Sequence, residues 1–196
     1  MTATQDPISK PAGRRRFKLL RRLGSDERGS TAIEFVLLIF PFTLMMFAVI
    51  ETGLSFAAQQ IMSNAADDLS RSLRVGNILQ ADATDASVYN AICDEIEMMV
   101  ATNCPELVID LQTYTSYGAI PLAIPRLSNG DLNSAGFGVS PGGPGTINQI
   151  RVFYRWPIMA DFMRKYLSEL PGGKTLLYST LTWKNEPYIV TGPAGP

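Results

Sequence analysis

The sequence contains no histidine and only two cysteines among its 196 residues. The absence of histidine removes the commonest general base, the usual Ser-His and Cys-His nucleophile pairs, and most zinc sites. An enzymatic function is therefore disfavoured, and neither a metal site nor a cofactor is expected. Charge is also missing from one long stretch, because residues 35–50 carry no charged side chain at all.

The charged residues are distributed unevenly along the chain. Residues 1–29 carry eight basic and three acidic side chains, whereas the remainder of the chain has a net charge of −6. A basic segment placed directly before an apolar run has the order that the positive-inside rule describes. We therefore interpret residues 1–29 as a basic cytoplasmic leader, and not as a segment that binds nucleic acid.

The apolar run itself has the length of a membrane span. Ala32 to Ile50 comprises 19 residues, of which only Glu34 is charged, and the hydrocarbon core of a bilayer needs about 20 helical residues. A buried core helix would be shorter and would show a polar stripe, which this run lacks. The run therefore predicts a transmembrane helix. Pro41 removes one backbone donor and is expected to bend this helix near Leu37.

An ordinary secretory signal is a poor alternative. Such a signal has roughly 7 to 15 apolar residues followed by a cleavage site of small residues. Here the run is longer and ends in Ile50-Glu51-Thr52. Cleavage after the run is therefore not expected.

A cleavage site before the run fits the residues better. The stretch GSTAIEF places Gly29 ahead of Ser30, with Glu34 as the fifth residue after the glycine and Phe35 next. This pattern resembles the processing site of class III signal peptides, which are found in prepilins and pseudopilins. The resemblance implies that prepilin peptidase cuts between Gly29 and Ser30 on the cytoplasmic side and that the new terminus is N-methylated.

Glu34 carries a physical cost that suggests a role. An ionised carboxylate at mid-bilayer costs about 2.5 to 3.5 kcal/mol on insertion scales, so an acid in a membrane helix is a functional candidate by default. The resemblance implies that the ammonium group created at Ser30 of a neighbouring subunit pairs with Glu34 and offsets its desolvation. The alternative is that Glu34 lies at the level of the lipid headgroups.

A longer stretch of the sequence resembles one branch of the pseudopilins in particular. The Glu34-Phe35 pair, Pro41 within the run and a second acid, Glu51, resemble the TadE-like and TadF-like pseudopilins of tight-adherence (Tad/Flp) type IV pilus systems. The stretch Lys184 to Tyr188, near the C-terminus, is similar to a motif common in that family. Asn185, Glu186 and Pro187 would be the residues of this motif in the present sequence. The resemblance implies a minor or accessory pilin and leaves the choice between the TadE and TadF types open.

The resemblance also implies partners and a location. The expected partners are prepilin peptidase, other pilin or pseudopilin subunits, the pilus assembly platform and the lipid bilayer. The protein would lie in the bacterial inner membrane, with its N-terminus in the cytoplasm and its C-terminal domain in the periplasm or in a surface pilus. The alternative is an uncleaved single-pass signal-anchor protein with an extracytoplasmic binding domain, which gives Glu34 no task.

Beyond Glu51 the sequence becomes amphipathic. Apolar residues recur at spacings of three or four, which predicts that the helix leaves the bilayer near residue 50 and continues with one apolar face; they are Leu54, Ala58, Ile61, Ala65, Leu69 and Leu73. Gly76 is a suitable C-cap. The segment 30–76 is therefore predicted to be one long helix ending at Val75.

Residues 77–196 predict a small extracytoplasmic α+β domain. Alternation predicts strands around 107–112, 150–156 and 177–183, and therefore a roughly three-stranded antiparallel sheet. A period of 3.6 residues predicts two helices, one with its apolar face at Val88, Ile92, Ile96, Met99 and Val100, and one with Met159, Phe162, Met163, Tyr166, Leu167 and Leu170. Apolar positions of this kind are expected in the core. Residues 118–146 are rich in Gly and Pro and predict a long surface loop.

The two cysteines, Cys93 and Cys104, are expected to form a disulfide if the domain lies outside the cytoplasm. A straight helix between them would separate them by about 16 Å, whereas bridged Cα atoms lie within about 7 Å. Either the helix must end early or the chain must fold back, and Asn103 to Pro105 is a suitable place to turn. Two buried free thiols are the alternative. The nearby acids Asp94, Glu95 and Glu97 are expected to form a solvated face, although a cation site there stays open.

Overall fold

The structure, a computed structural model, describes residues 30–189. The chain divides into two units, one ending at Phe47 and the other beginning at Ala48. The elements are, in chain order, helix α1 (Ser30–Val75), helix α2 (Asp85–Ile96), strand β1 (Leu107–Tyr114), a 3-10 turn (Tyr117–Ala119), strand β2 (Val139–Ser140), strand β3 (Ile147–Pro157), helix α3 (Asp161–Leu167) and strand β4 (Lys174–Lys184). The predicted α+β class and the long N-terminal helix are confirmed.

The sheet has four strands in the order β2-β1-β3-β4. Strands β1, β3 and β4 pair antiparallel, as predicted. The two-residue strand β2 was not predicted, and it pairs parallel to β1, so the sheet is mixed. It arises because the loop crosses the exposed edge of β1, where the Leu111 N–H donates to the Gly138 carbonyl at 2.9 Å. The loop thus covers an edge that would otherwise present unpaired backbone groups.

One face of the sheet packs against helices α1 and α2. Strand residues of this face alternate with residues of the other face, as period-two side chains must. The outer half of α1, after Glu51, contributes buried residues to this core, namely Ala58, Met62, Ala65, Ala66, Leu69 and Leu73. They meet Val88, Ile92 and Ile96 of α2 and, among others, Leu111, Ile150, Val152 and Trp156 of the sheet. This is the main core of the second unit.

The segment 118–146 covers the other face of the sheet. Leu132 of this segment is buried together with Phe153, Leu170 and Leu176, and Phe137 stacks on Phe153 with ring centroids 5.7 Å apart. The prediction of a surface loop is therefore incomplete. The segment forms a second, smaller core because Phe153 of β3 and Leu176 of β4 are apolar side chains on this face that need cover.

Two ion pairs reinforce this second face. Asp110 of β1 accepts two hydrogen bonds from Arg151 of β3, at 3.0 and 2.6 Å, and both side chains are buried. Asp131 in the loop accepts a hydrogen bond from Arg155 at 2.9 Å. This hydrogen bond from Arg155 is the main reason that the pKa of the Asp131 carboxyl lies below its usual value.

Helix α2 begins with a capping box. The Thr84 hydroxyl accepts from the Ser87 N–H, and the Ser87 hydroxyl accepts from the Thr84 N–H at 2.9 Å. Such reciprocal bonds satisfy N–H groups that have no partner inside the helix. The helix ends at Ile96, so Met99 and Val100, which were predicted on its face, follow it and only partly pack against the core.

Helix α3 differs from its prediction in burial. Its apolar residues were expected in the core, yet only Met163 within the helix and Leu170 beyond it are buried. Phe162, Tyr166 and Leu167 are exposed, as is Met159 just before the helix. The period of 3.6 residues identified the helix, but it could not show that the available core surface accommodates only one narrow side of it.

Strand β4 forms the other edge of the sheet, and α1 covers part of it. The Gln59 side-chain amide donates to the Tyr178 carbonyl, and its oxygen accepts from the Tyr178 N–H at 3.1 Å. A side-chain amide offers the same donor and acceptor pair as a neighbouring strand. Gln59 therefore satisfies one residue of the open edge and fixes α1 against β4.

Candidate processing and assembly segment

The predicted cleavage site lies at the start of the described part of the chain. Gly29 is outside the described residues, and Ser30 is the first residue of helix α1. Glu34 and Phe35 lie in the second turn of α1, and both are exposed. Cleavage between Gly29 and Ser30 remains a prediction.

The apolar half of α1 exposes nearly its whole surface. In the apolar window of this helix no residue is buried, and the helix is long and apolar enough to cross a membrane. Large apolar side chains are exposed around its circumference, among them Phe35, Val36, Leu37, Leu38, Phe40, Phe42 and Met45. This exposure contradicts the alternative that the run is a buried core helix. Such a surface is stable only against an apolar environment.

Polar groups within this half are handled as a membrane helix requires. The Thr43 hydroxyl donates to the carbonyl of Ile39 at 2.8 Å, so it is satisfied by its own helix. Pro41 lies inside the helix and has no N–H to offer the carbonyl of Leu37. The bend that this missing bond is expected to cause remains a prediction.

Glu51, the acid that closes the apolar run, is 9% exposed and belongs to the second unit. Its carboxylate accepts hydrogen bonds from the backbone N–H groups of Met159, at 2.9 Å, and Ala160, at 3.2 Å. Both N–H groups lie just before α3 and have no partner inside that helix. Glu51 therefore links α1 to the start of α3, which sequence reasoning missed because the partners are more than 100 positions away in the chain.

Cys93 and Cys104 form the expected disulfide, with Cα atoms 5.8 Å apart. The turn that allows it uses Asn103 and Cys104 in the left-handed region, at φ of 63° and 45°. The Tyr89 hydroxyl donates to the Cys104 carbonyl at 2.6 Å. Burial raises the pKa of this Tyr89 hydroxyl. The helix thus ends at Ile96 and the chain folds back, as the geometry of a bridge demands.

Asn185, in the C-terminal motif, is a buried connector. Its side-chain amide donates to the carbonyls of Gly142 and Gly143, at 2.9 and 3.1 Å, and its oxygen accepts from the Trp183 indole N–H at 2.7 Å. Its own backbone N–H donates to the Thr146 carbonyl. A fully satisfied buried amide of this kind fixes one chain path. Asn185 therefore ties the end of β4 to the Gly/Pro-rich loop.

The residues after Asn185 contact the C-terminal end of α1. The Glu186 N–H donates to the Arg74 carbonyl at 2.9 Å, and the two side chains form an exposed ion pair. The Tyr188 ring lies so close to Gly76 that a Cβ at this glycine would be 2.7 Å from it. Pro187 between them is exposed. In this structure the motif acts as a clasp on α1, and Arg74 and Gly76 are the partners that sequence reasoning did not assign.

The described residues 30–189 bring together no group of three or more His, Cys, Asp or Glu residues that could hold a metal ion. Glu97, the C-cap residue of α2, accepts from the Asn103 N–H at 3.1 Å and supports the disulfide turn.

Comparison with known protein families assigns part of the chain. Residues 29–71 match the model of the TadE-like protein family. The match covers α1 up to four residues before its end and leaves the α+β domain uncovered. It confirms the resemblance to TadE-like proteins over this segment and indicates involvement in tight-adherence pilus systems. No match to the chain was found among curated proteins or among solved structures.

Proposed function

We propose that the protein is a minor pilin, or pseudopilin, of a tight-adherence pilus, anchored by a single membrane span and processed by prepilin peptidase. It serves as a structural or assembly subunit and as a substrate of the peptidase, not as an enzyme. Cleavage between Gly29 and Ser30 removes the basic leader. The mature chain then begins at the first residue of α1.

One observation supports this proposal most strongly. A basic leader directly precedes the segment that matches the TadE-like family, and within that segment Gly29, Glu34 and an apolar helix with no buried residue in its apolar window follow one another. A glycine followed by an acid is common by chance. Its position between a leader and a membrane-length helix is not, because each of these features is needed for the same processing step.

Glu34 has a defined electrostatic role in the proposal. It lies one turn after Ser30, and its side chain is exposed on α1. Cleavage creates an ammonium group on Ser30, and in an assembly the ammonium of one subunit lies beside Glu34 of the next. Such a pair lowers the cost of placing either charge at the lipid boundary.

The disulfide supports an extracytoplasmic location for the α+β domain. Disulfides persist in oxidising compartments and are rare in the cytoplasm. The positive charge of residues 1–29 favours retention of the leader on the cytoplasmic side. Both features support the same orientation of the proposed span.

Co-expression with a prepilin peptidase tests the processing step. We expect the protein band to shift down by the mass of residues 1–29, and N-terminal sequencing to begin at Ser30. Gly29→Ala should abolish the shift. Gly24→Ala provides a matched control, because Gly24 also precedes a serine in the leader but lies outside the motif.

If the mature protein keeps its leader in the presence of an active peptidase, the proposal is wrong. The chain is then a signal-anchor protein with an extracytoplasmic domain.

A second experiment tests the role of Glu34. Glu34→Gln removes the charge and preserves the shape, so the variant should be inserted and cleaved but should fail to enter the pilus. Glu95→Gln, an exposed acid on α2, is the control and should assemble normally. Normal assembly of the Glu34→Gln variant would refute the pairing with the new terminus.

A further inference from the structure

Helix α3 and the residues just before it carry exposed apolar side chains that the fold does not use. We call Met159, before the helix, together with Phe162 and Tyr166 within it, the α3 patch; their exposed fractions are 66%, 45% and 81%. Phe162 and Tyr166 are four residues apart and therefore share one face of the helix. Met163, the next residue after Phe162 and therefore about 100° further round the helix, is buried. The helix thus holds to the domain by one side and presents an aromatic side outwards.

The two ends of α3 lie beside one short part of α1. At the start of α3, the Met159 and Ala160 N–H groups donate to the Glu51 carboxylate. Near its end, Leu167 lines a cleft together with Glu51, Thr52 and Ser55 of α1. Residues 51–55 span little more than one helical turn, about 6 Å of rise. The patch is therefore held at one level along α1.

That level coincides with the end of the apolar run. Glu51 follows Ile50, the last residue of the 19-residue run, and Val49 and Ile50 are themselves exposed. A span that fills the hydrocarbon layer with residues 32–50 places residue 51 at the boundary between lipid and water. The α3 patch would then lie at the headgroup level of the outer leaflet.

The composition of α3 suits this boundary. Tyrosine is enriched at membrane interfaces, where its ring is in contact with lipid and its hydroxyl is hydrated. Lys165 is exposed on the side next to Phe162, and it forms no ion pair with any residue in the described range 30–189. A lysine there can extend to lipid phosphates while its stem covers apolar surface.

We infer that α3 is a membrane-contacting helix, which lays Met159, Phe162 and Tyr166 on the outer headgroup layer and fixes the domain at the bilayer surface through Glu51. The inference rests on the proposed membrane span and goes beyond it. The partner is the lipid bilayer itself, because the patch lies at the end of the span and carries a lysine for anionic headgroups. A second subunit on the same patch is the competing occupant.

Spin-label depth measurements on the full chain test the inference. A nitroxide is attached to an introduced cysteine in Tyr166→Cys, with Met159→Cys as an independent second site. The native disulfide stays oxidised, so only the new thiol reacts. Each protein is reconstituted at high dilution in vesicles of phosphatidylethanolamine and phosphatidylglycerol, and its collisions with oxygen and with a water-soluble nickel complex are compared.

Two further sites calibrate the measurement. Leu38→Cys, in the apolar run, should collide with oxygen and not with nickel, and Met98→Cys, exposed just after α2, should do the reverse. The labels at 159 and 166 should lie between these values, with nickel collisions at least several-fold below those at 98. Thermal unfolding of each labelled variant must match that of the parent.

The outcomes separate the inference from the function. If the labels at 159 and 166 behave like the label at 98, the inference is wrong. The proposed membrane span still holds in that case, provided that the label at 38 collides with oxygen and not with nickel. If the label at 38 collides with the nickel complex as the label at 98 does, the membrane span itself is contradicted. Loss of both oxygen and nickel collisions at 166, with dipolar broadening that grows with protein density, assigns the patch to a second subunit and also overturns the inference.

Discussion

The two halves of helix α1 are chemically different surfaces on one continuous helix. From Ala32 to Ile50 the large apolar side chains are mostly exposed, whereas after Glu51 the apolar side chains at Met62, Leu69 and Leu73 are buried by the domain. The difference shows that apolar content alone does not define a core. The apolar side chains of the first half need an apolar environment outside the protein, whereas those of the second half are covered by the folded domain.

The largest expected effect compares the same substitution in the two halves. Leu73→Ala should lower the free energy of unfolding of the domain by about 2 to 5 kcal/mol, because Leu73 is 2% exposed and its removal leaves a cavity. Leu37→Ala, in the exposed half, should leave domain stability unchanged. Denaturant unfolding of both variants measures the difference, and equal losses would contradict the division of the helix.

An introduced charge should affect membrane insertion in the first half of α1 and not in the second. Phe42→Arg places a cation near the middle of the run and should raise the cost of membrane insertion by about 2.5 to 3.5 kcal/mol, seen as a smaller carbonate-resistant membrane fraction. Phe56→Arg changes an equally exposed phenylalanine of the outer half and should insert normally. If both variants insert alike, the run does not lie in lipid.

Glu34, near the start of the run, and Glu51, directly after its end, should differ in their effect on domain stability. Glu51→Gln should lower domain stability by about 1 to 2 kcal/mol, because a neutral amide replaces the charged acceptor of the Met159 and Ala160 N–H groups. Glu34→Gln should leave domain stability unchanged and affect assembly only. Thermal unfolding of the two variants in parallel tests this, and a stable Glu51→Gln protein would show that the link to α3 contributes little.

The smallest expected effect compares two glycines, Gly53 within α1 and Gly76 directly after its end. Gly53 lies inside the helix with open space around it, so Gly53→Ala should stabilise the protein by up to about 1 kcal/mol. Gly76 has a φ of 80° and faces the Tyr188 ring, so Gly76→Ala should destabilise it by about 1 kcal/mol or more. Shifts of the same sign would mean that the C-terminal clasp does not depend on Gly76.

Much of the fold follows from local patterns in the sequence. The apolar run, the amphipathic stripe after it and three alternating strands are each set by neighbouring residues, and sequence reasoning found them. The apolar face predicted for α2 extended to Met99 and Val100, beyond the observed end at Ile96. The disulfide was also accessible, because only two cysteines exist and the turn residues lie next to one of them. These features depend on periods and caps that a single chain segment carries.

Other features depend on contacts between distant residues. Strand β2 exists only because a loop crosses the edge of β1, and two residues have no pattern of their own. The bonds from Glu51 to Met159 and from Glu186 to Arg74 join positions more than 100 residues apart. The exposure of Tyr166 depends on how much core surface is free. None of these can be read from periodicity, since each is decided by tertiary packing.

Aqueous thiol labelling along α1 tests the central claim most directly. Single cysteines introduced at positions 33 to 73 are exposed to a membrane-impermeant maleimide in intact vesicles, with the native disulfide kept oxidised. We expect no labelling at any position of the run up to residue 50. Beyond it, labelling should alternate, with protection at the buried positions 58, 62, 65, 69 and 73 and reaction at exposed positions such as 56. Periodic labelling within residues 33–50 would contradict the account, because it would show a helix with one face in water.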